Sequence, residues 1–272
     1  MQELQTLESL RSRGWHAAPE DERTIAHLLC DQVEFANVIV LNKCDLIDEV
    51  EKGTVHMLLK TFNPDAVIIE STHGVVDPMS ILDTKRFSMT KAAEHEEWLK
   101  EARIGEHVPE TIEYGIHSFT FRSIYPMHPR RLQRTMEKIS RREKPFETLL
   151  RGKGFCWIAT KHDIQAVFAL AGQRCTLVPG VAWWATVAEN DWPDGLKDAI
   201  APLWHDPYGD RQQDIVMIGQ HMDVPAIEAA LRDCLLTDKE YDGGVESWSS
   251  IKDPFDNQVE WLPLVDGNQQ WT

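Results

Sequence analysis

The sequence predicts an α/β protein in which a partial parallel sheet is followed by a smaller α+β C-terminal domain. Two patterns lead to this fold class. Near the start, two short runs of β-branched residues flank a helical segment, as in a parallel strand-helix-strand crossover. After a polar stretch come several short strand-like runs and two amphipathic helical segments, a pattern typical of strands with helices packed on one face.

The first predicted element is a helix within residues 19–36, whose apolar residues recur every three or four positions. Residues 38–41 form a short, continuous, mostly β-branched run, which predicts a strand buried on both faces of a parallel sheet. A helix over residues 50–62 and a second strand over residues 66–69 complete the predicted crossover. We assign residues 1–84 to this first domain.

The polar and charged residues 85–112 are predicted to be a solvated linker. Residues 113–240 are predicted to form the second domain, and residues 241–272 a C-terminal tail. The predicted elements of the second domain are strands over 116–123, 154–160, 166–171, 182–187 and 214–219, and helices over 129–150 and 224–236.

Composition argues against two kinds of partner. The net charge of −16 would repel a phosphate backbone, which disfavours nucleic acid. The chain has no apolar run of 18 residues and no signal-like N-terminus, so neither a membrane span nor secretion is expected. The five cysteines are never spaced as C-x-x-C and predict reduced thiols, consistent with a cytoplasmic protein.

One motif carries recognisable chemistry. Asn42, Lys43 and Asp45 form an N-K-x-D sequence directly after the first predicted strand, where ligands bind in open α/β sheets. This is the guanine-reading element of P-loop GTPases: one carboxylate accepts both N1–H and the N2 amino group of guanine. Asn42 would brace the loop or meet the base edge, and the stem of Lys43 would cover the base. The alternative is an ordinary strand-to-loop turn.

A second polar loop follows the second predicted strand. Ser71 and Thr72 begin the sequence Ser-Thr-His-Gly, at the position where GTPases place another base-contacting loop. We expect these two residues to contribute to the guanine site, although a polar turn without ligand contacts is an equally good interpretation.

No G-x-x-x-x-G-K-S/T sequence occurs in the 272 residues. That loop supplies the backbone cradle for the phosphates and the hydroxyl that holds Mg²⁺. The sequence therefore predicts that this chain does not hydrolyse GTP alone. Either the chain is shortened, by gene-model error or in fact, or the missing part of the domain is supplied elsewhere.

Further segments point to a known family. Residues 31–43, with the sequence D-Q-V-E-F-A-N-V-I-V-L-N-K, resemble the helix-to-strand segment before the guanine motif of CobW-type GTPases. Residues in the second half resemble the CobW C-terminal domain, and these are residues 113–119, 152–160, 183–184, 209–219 and 233–238. The resemblance runs from about residue 21 to residue 255.

The resemblance implies a protein of metal homeostasis that binds GTP or GDP and delivers zinc or cobalt to a metal-receiving client protein. It also implies that a chain supplying the missing GTPase half could be a partner. Only Asn42, Lys43 and Asp45 carry over as nucleotide ligands, because the family's phosphate loop and C-x-C-C metal motif do not occur in this sequence. The alternative is a non-catalytic client-binding module made mainly of the CobW C-terminal domain.

Three histidines lie in or beside the predicted linker, where family members often carry histidines: His95, His107 and His117. Neutral imidazole is a good zinc ligand, so these three are candidate ligands of a weak, transient site. Their spacing does not enforce the converging geometry of a tetrahedral site. Solvated histidines are the alternative.

A basic cluster lies within the predicted helix over residues 129–150. A solvated helix face is one interpretation, and a docking surface for an acidic client or for the GTPase half is the other. Its members are Arg130, Arg131, Arg134, Lys138, Arg141, Arg142 and Lys144.

Overall fold

The computed structural model describes residues 24–88, 115–256 and Trp261. The chain divides into two compact units. The first contains residues 24–88, and the second contains residues 119–217 and 222–256. Each unit has its own sheet, which agrees with the predicted fold class of a small parallel sheet followed by an α+β arrangement.

The first unit is the predicted parallel crossover. Its elements in chain order are α1 (Ile25–Phe35), β1 (Val38–Leu41), α2 (Glu49–Phe62) and β2 (Val67–Glu70). Strands β1 and β2 pair in parallel, with Val38 opposite Val67 and Leu41 opposite Glu70. The carboxyl ends of both strands therefore lie at the same edge of the sheet.

Capping residues determine where both helices begin. The hydroxyl of Thr24 accepts a hydrogen bond from the backbone N–H of His27 at the start of α1. At the start of α2, Asp48 and Glu51 form a capping box, in which each side chain accepts from the other residue's backbone N–H. Both helices thus begin where their capping residues predict.

A buried asparagine joins the end of α1 to the start of β2. Asn63 is 3% exposed, and its Nδ2 donates to the carbonyls of Val33, Glu34 and Ala36 at 2.9, 3.0 and 2.8 Å. Its Oδ1 accepts from the N–H of Ala66 at 3.0 Å. One side chain therefore satisfies the carbonyls that a helix end leaves without intrahelical partners.

The prediction that β1 is buried on both faces is wrong for the described residues. None of its four residues is buried, and Val40 is 40% exposed. In the described part of the chain β1 pairs only with β2, so neither an additional strand nor a second layer covers this side chain.

The second unit contains most of a five-stranded sheet with the strand order β3-β7-β4-β5-β6. Strand β4 pairs antiparallel with β5, and β5 pairs antiparallel with β6. The bounds of the strands are β3 (Ile116–Ser123), β4 (Leu149–Cys156), β5 (Ile164–Ala171), β6 (Arg174–Ala182) and β7 (Gln213–Gln220).

Helices and irregular segments complete this unit. They are α3 (Pro129–Ser140), α4 (Leu196–Ile200), α5 (Val224–Arg232), α6 (Asp238–Tyr241) and α7 (Gly244–Ser249). Buried side chains of α3 and α5, such as Leu132 and Ile227, join Phe168 and Met217 of the sheet in the main hydrophobic core. None of the helices in the described ranges combines the length and the apolar character that a membrane-spanning helix needs.

A second, smaller core is aromatic. Trp157, His162, Tyr208 and Trp248 are all in mutual ring contact, with centroid distances of 5.3 to 5.9 Å. Trp248 is 1% exposed, and its Nε1 donates to the carbonyl of Glu240 at 2.7 Å. Part of the predicted tail, residues 241–256, therefore packs within this unit.

Four predicted elements of the second unit are wrong in extent. The predicted helix over 224–236 ends at Arg232. The predicted helix over 129–150 ends at Ser140, because Arg142 adopts a left-handed conformation with φ of 54° and Pro145 cannot continue a helix. The strand predicted over 154–160 begins earlier, at Leu149. The strand predicted over 182–187 is instead the end of β6 followed by a short 3₁₀ helix (Trp184–Thr186), whose first N–H groups donate to the carboxylate of Asp210.

Candidate functional site

The two predicted guanine-site loops lie side by side. The loop of residues 42–45 follows β1 and the loop of residues 71–74 follows β2. Because β1 and β2 are parallel neighbours, both loops leave the same edge of the sheet, where ligands bind in open α/β folds.

Two hydrogen bonds join the loops. The backbone N–H of Gly74 donates to Oδ1 of Asn42 at 3.0 Å, and the backbone N–H of Cys44 donates to the carbonyl of Ser71 at 3.1 Å. Of the two roles considered for Asn42, the structure shows the bracing contact. The loops are thus held together without a ligand.

Several loop residues adopt the left-handed conformation. Lys43 has φ of 63°, His73 has φ of 53° and Gly74 has φ of 72°. This region is costly for residues other than glycine. No atom lies within 4 Å of the position that a Cβ on Gly74 would occupy, so glycine is favoured here by backbone conformation rather than by lack of space.

Some side chains of the two loops are hydrogen-bonded within the protein, and others are exposed and can contact a ligand. Ser71 is 5% exposed, and its hydroxyl donates to the carbonyl of Val75 at 3.0 Å, so its hydroxyl stabilises the loop. Asp45, Lys43 and Thr72 are exposed. In the part of the chain that the structure describes, the carboxylate of Asp45 forms no hydrogen bond or ion pair. Both of its oxygens are therefore available to accept from a ligand.

A salt bridge supports the same edge of the sheet. Lys52 Nζ of α2 lies 2.9 Å from Glu49 Oε1 and 3.2 Å from Glu70 Oε2 at the end of β2. Hydrogen bonds to Glu49 and then to Glu70 raise the pKa of Lys52 above its ordinary value. This contact fixes the first turns of α2 beside the residue that precedes Ser71.

Sequence reasoning missed three contributors to these loops. They are the backbone N–H of Gly74, the carbonyl of Val75 and the backbone N–H of Cys44. Only the glycine left a signal, since a glycine that ends a polar run marks a position where positive φ is needed. Backbone donors and acceptors otherwise leave no trace in residue identity.

The predicted metal ligands are not brought together in the described residues. His117 lies on β3 and is half-buried, whereas His95 and His107 lie outside the described residues. Within the described ranges, no group of three or more His, Cys, Asp or Glu residues is arranged to hold a metal ion. The histidine site stays a prediction.

Comparison with known proteins decides the family. Residues 11–70 match the model of the CobW/HypB/UreG nucleotide-binding domain, and residues 116–235 match the model of the cobalamin synthesis protein cobW C-terminal domain. The chain belongs to the CobW family. The first match ends at Glu70 and contains the Asn42 to Asp45 motif, and the second covers β3 through α5.

The CobW relatives include two proteins whose names refer to zinc. The chain is 42% identical over 264 residues to the zinc-regulated GTPase metalloprotein activator 1 of Dictyostelium discoideum, covering 96% of this chain and 55% of the relative. It is 24% identical over 238 residues to a zinc chaperone of Mycobacterium tuberculosis, covering 86% of this chain and 55% of the relative. The chain thus spans about half the length of these curated relatives.

Two solved structures are also similar. The zinc-bound YjiA GTPase from E. coli aligns with a TM-score of 0.37 and 22% identity, covering 77% of this chain and 55% of the other. A zinc-bound triple mutant of YjiA GTPase aligns with a TM-score of 0.36 at the same identity and coverage. At these scores the family assignment rests on the two family models and the sequence relatives.

Proposed function

We propose that this CobW-family chain recognises guanine nucleotide through Asp45 and takes part in the handling of zinc or cobalt in the cytoplasm. Residues 1–84 would form the guanine-binding half and residues 85–112 a linker. Residues 113–240, with residues 241–256 packed against them, would form the client-facing domain. One observation carries the proposal: the carboxylate of Asp45 is exposed and unpaired among the described residues, on a loop braced by the bond from Gly74 N–H to Asn42.

The chemistry of the base favours guanine. Its N1–H and N2 amino group lie side by side, so the two oxygens of Asp45 can accept both hydrogen bonds, and each is strengthened by the negative charge. Adenine does not offer this pair of donors. Lys43, Thr72 and the backbone of the second loop would line the rest of the base site, while Ser71 would hold that loop in place through Val75.

Phosphate chemistry is a separate matter. The 272 residues contain no phosphate loop, so the groups that hold the phosphates and Mg²⁺ are not among them. We therefore propose that these residues alone do not hydrolyse GTP, and that hydrolysis needs a phosphate loop supplied with them. Phosphate release by the purified chain above the buffer rate would contradict this part of the proposal.

In this proposal the protein delivers a metal ion to a client protein. The relatives named as a zinc chaperone and as a zinc-regulated activator favour zinc. His95, His107 and His117 would be transient ligands during transfer to a metal-receiving client protein, since neutral imidazole is a good zinc ligand and their spacing does not enforce a closed tetrahedral site.

A second function is favoured by the second unit. Its main core and its aromatic core are both built from residues 119–256 and Trp261, as expected of a domain that packs around its own residues. A client-binding module without nucleotide chemistry would need only this unit. Nucleotide binding by the chain separates the two functions.

The test is a change of base preference. We expect the wild-type chain to bind GDP more tightly than xanthosine diphosphate in calorimetric titrations. In the Asp45→Asn variant the preference should invert, because the amide offers one acceptor and one donor, which match the N1–H and the O2 carbonyl of xanthine. Losing one charge-assisted hydrogen bond of about 1.5–3 kcal/mol should weaken GDP binding roughly 10- to 100-fold.

The control is Asp83→Asn, which makes the same chemical change at another exposed aspartate of the first unit. Asp83 has φ of 49°, a conformation that asparagine also tolerates. GDP binding should be unchanged in this variant. If neither nucleotide binds the wild-type chain, or if Asp45→Asn leaves the preference unaltered, guanine recognition by Asp45 is wrong and the client-binding function takes its place.

A further inference from the structure

One helix of the second unit carries a row of exposed positive charges, although the chain as a whole has a net charge of −16. Arg130, Arg134, Lys138 and Arg141 are all exposed. At 100° per residue these four positions lie on one side of α3, opposite the buried residues Leu132, Thr135 and Ile139. We call these four residues the basic row.

The basic row is little used within the protein. In the residues that the structure describes, the side chains of Arg134 and Lys138 form no hydrogen bond or ion pair. Arg130 donates once, to the carbonyl of Lys252 at 3.3 Å. Arg141 lies 3.7 Å from Glu137 and from Glu143, and all three side chains are largely exposed, so these are weak surface pairs.

The N-terminal end of the row is placed against the electrostatic preference of its own helix. The first turn of α3 contains no acidic residue and begins Pro-Arg-Arg, although a helix N-terminus favours negative charge. Arg131 is used by the fold, because its guanidinium binds Glu240 and the carbonyl of Leu235. Arg130 and Arg134 have no comparable structural use, so folding alone does not account for them.

The helix also holds the row rigidly. Leu132 and Ile139 of α3 are buried in the main core, and the Arg131 to Glu240 pair ties its first turn to α6. Side chains on such a rigid helix lose little more than their own rotamer freedom when a partner binds.

We propose that the basic row of α3 is a docking surface for an extended acidic segment of a partner protein. Arg130, Arg134 and Lys138 follow one another at four-residue intervals, which is about 6 Å along a helix. Side chains on one face of an extended chain recur at about 6.6–6.8 Å. Carboxylates at alternate positions of such a segment can therefore meet successive cations of the row.

Nucleic acid is the less suitable polyanion. The rest of the chain is strongly acidic and would repel a long phosphate backbone on either side of one helix. A short acidic peptide segment spans only this helix and avoids that long-range repulsion.

The test measures binding of a fluorescein-labelled decaglutamate peptide to the full chain by fluorescence anisotropy at low salt. The Arg134→Glu/Lys138→Glu variant should bind about 10-fold or more weakly than wild type, because two attractive surface contacts become repulsive. The matched control is Lys85→Glu/Lys197→Glu, which makes the same change of charge at exposed residues that are not part of α3. It should bind within about two-fold of wild type, since only long-range, salt-screened charge is altered.

A second variant, Arg134→Gln/Lys138→Gln, removes the charges without reversing them and guards against misfolding, and circular dichroism checks every variant for an unchanged melting curve. An intermediate affinity for the glutamine variant supports the proposal. Three results overturn it: no peptide binding by the wild type, equal weakening in the control, or tighter binding of a thymidine oligonucleotide that depends on the same two residues.

Discussion

The two units of this protein bury their apolar side chains to very different degrees. Within residues 24–88 five apolar residues are buried, whereas Val75 and Met79 beside the two candidate site loops are largely exposed. The five are Ile25, Ala26, Cys30, Leu58 and Ala66. The second unit has two packed cores, one around Phe168 and Met217 and one around Trp157 and Trp248. The candidate ligand site lies on the unit with the smaller core. Its geometry therefore depends on the hydrogen bond that Asn42 accepts from Gly74 and on the hydrogen bonds of Asn63 more than on apolar packing.

The largest expected effect concerns the aromatic core of the second unit. Trp248→Ala should lower the free energy of unfolding by about 3–5 kcal/mol, because it leaves a cavity among Trp157, His162 and Tyr208. Urea unfolding followed by tryptophan fluorescence suits this test, since seven of the ten tryptophans lie within residues 157–261.

The matched control is Trp204→Ala. Trp204 is 37% exposed and touches Trp192 at a centroid distance of 5.8 Å. Its removal should cost no more than about 1 kcal/mol, as expected of a surface side chain. Equal losses for the two variants would mean that the aromatic core does not hold the second unit together.

In the first unit the residue whose loss should be most destabilising is a buried asparagine, Asn63. Asn63→Ala should cost about 3 kcal/mol locally, because three carbonyls near the end of α1 and the N–H of Ala66 lose their partner. Hydrogen exchange should show faster exchange in α1 and β2, with the second unit unchanged.

The control is Asn42→Ala, which removes a single exposed hydrogen bond from Gly74 N–H and should cost about 1 kcal/mol or less. Faster exchange in the second unit of Asn63→Ala as well would contradict a loss that is local to α1 and β2.

The same contrast explains what sequence could and could not predict. The strand-helix-strand crossover was predicted to within a residue or two, because β1 and β2 are short β-branched runs and α2 carries an Asp48 to Glu51 capping box. The family was predicted from local segments that the family models also match. Both depend on signals within a few neighbouring residues.

The errors have two different origins. The end of α3 is set locally, by the left-handed Arg142 and by Pro145, and the proline is a helix-ending signal that the sequence itself contains. The turn after β6 is set by Asp210, which lies about two dozen residues further along the chain. In the candidate site, Asp45 follows from the motif, whereas the bracing of Asn42 by Gly74 and the use of the Ser71 hydroxyl by Val75 involve backbone atoms. Residue identity carries no information about such partners.

A pH dependence of intermediate size is expected for the stability of the second unit, which contains His162. Burial, and then the nearby Arg211, lower the pKa of His162 from 6.5 to about 4. As the pH falls below 6.5, the unfolded chain takes up this proton before the folded chain does. The second unit should therefore lose stability between pH 6.5 and about 4, by about 2 kcal/mol, with no dependence on this group above pH 6.5.

His162→Phe should remove this dependence, and it also removes the buried Nδ1, which has no hydrogen-bond partner. The control His205→Phe changes a histidine outside the four-ring cluster and should keep the slope. The measurement is the urea midpoint of the wild type and of both variants across this pH range. A slope that persists in His162→Phe would assign the titration to another group.

The smallest expected effect concerns the ion pair that joins α3 to α6. Hydrogen bonds from Arg131 are the main cause that lowers the pKa of Glu240 from 4.5 to about 2. The stabilisation is therefore complete above pH 4.5 and is lost as the pH falls to about 2. Both side chains are about one-third exposed, at 30% and 34%, so solvent screening should limit the loss in Glu240→Gln to about 1 kcal/mol at neutral pH.

The control Glu228→Gln breaks a more exposed pair with Arg232 and should cost less than about 0.5 kcal/mol. Equal losses, or a Glu240→Gln loss that high salt does not reduce, would show that the charge of Glu240 is not what stabilises its contact with Arg131.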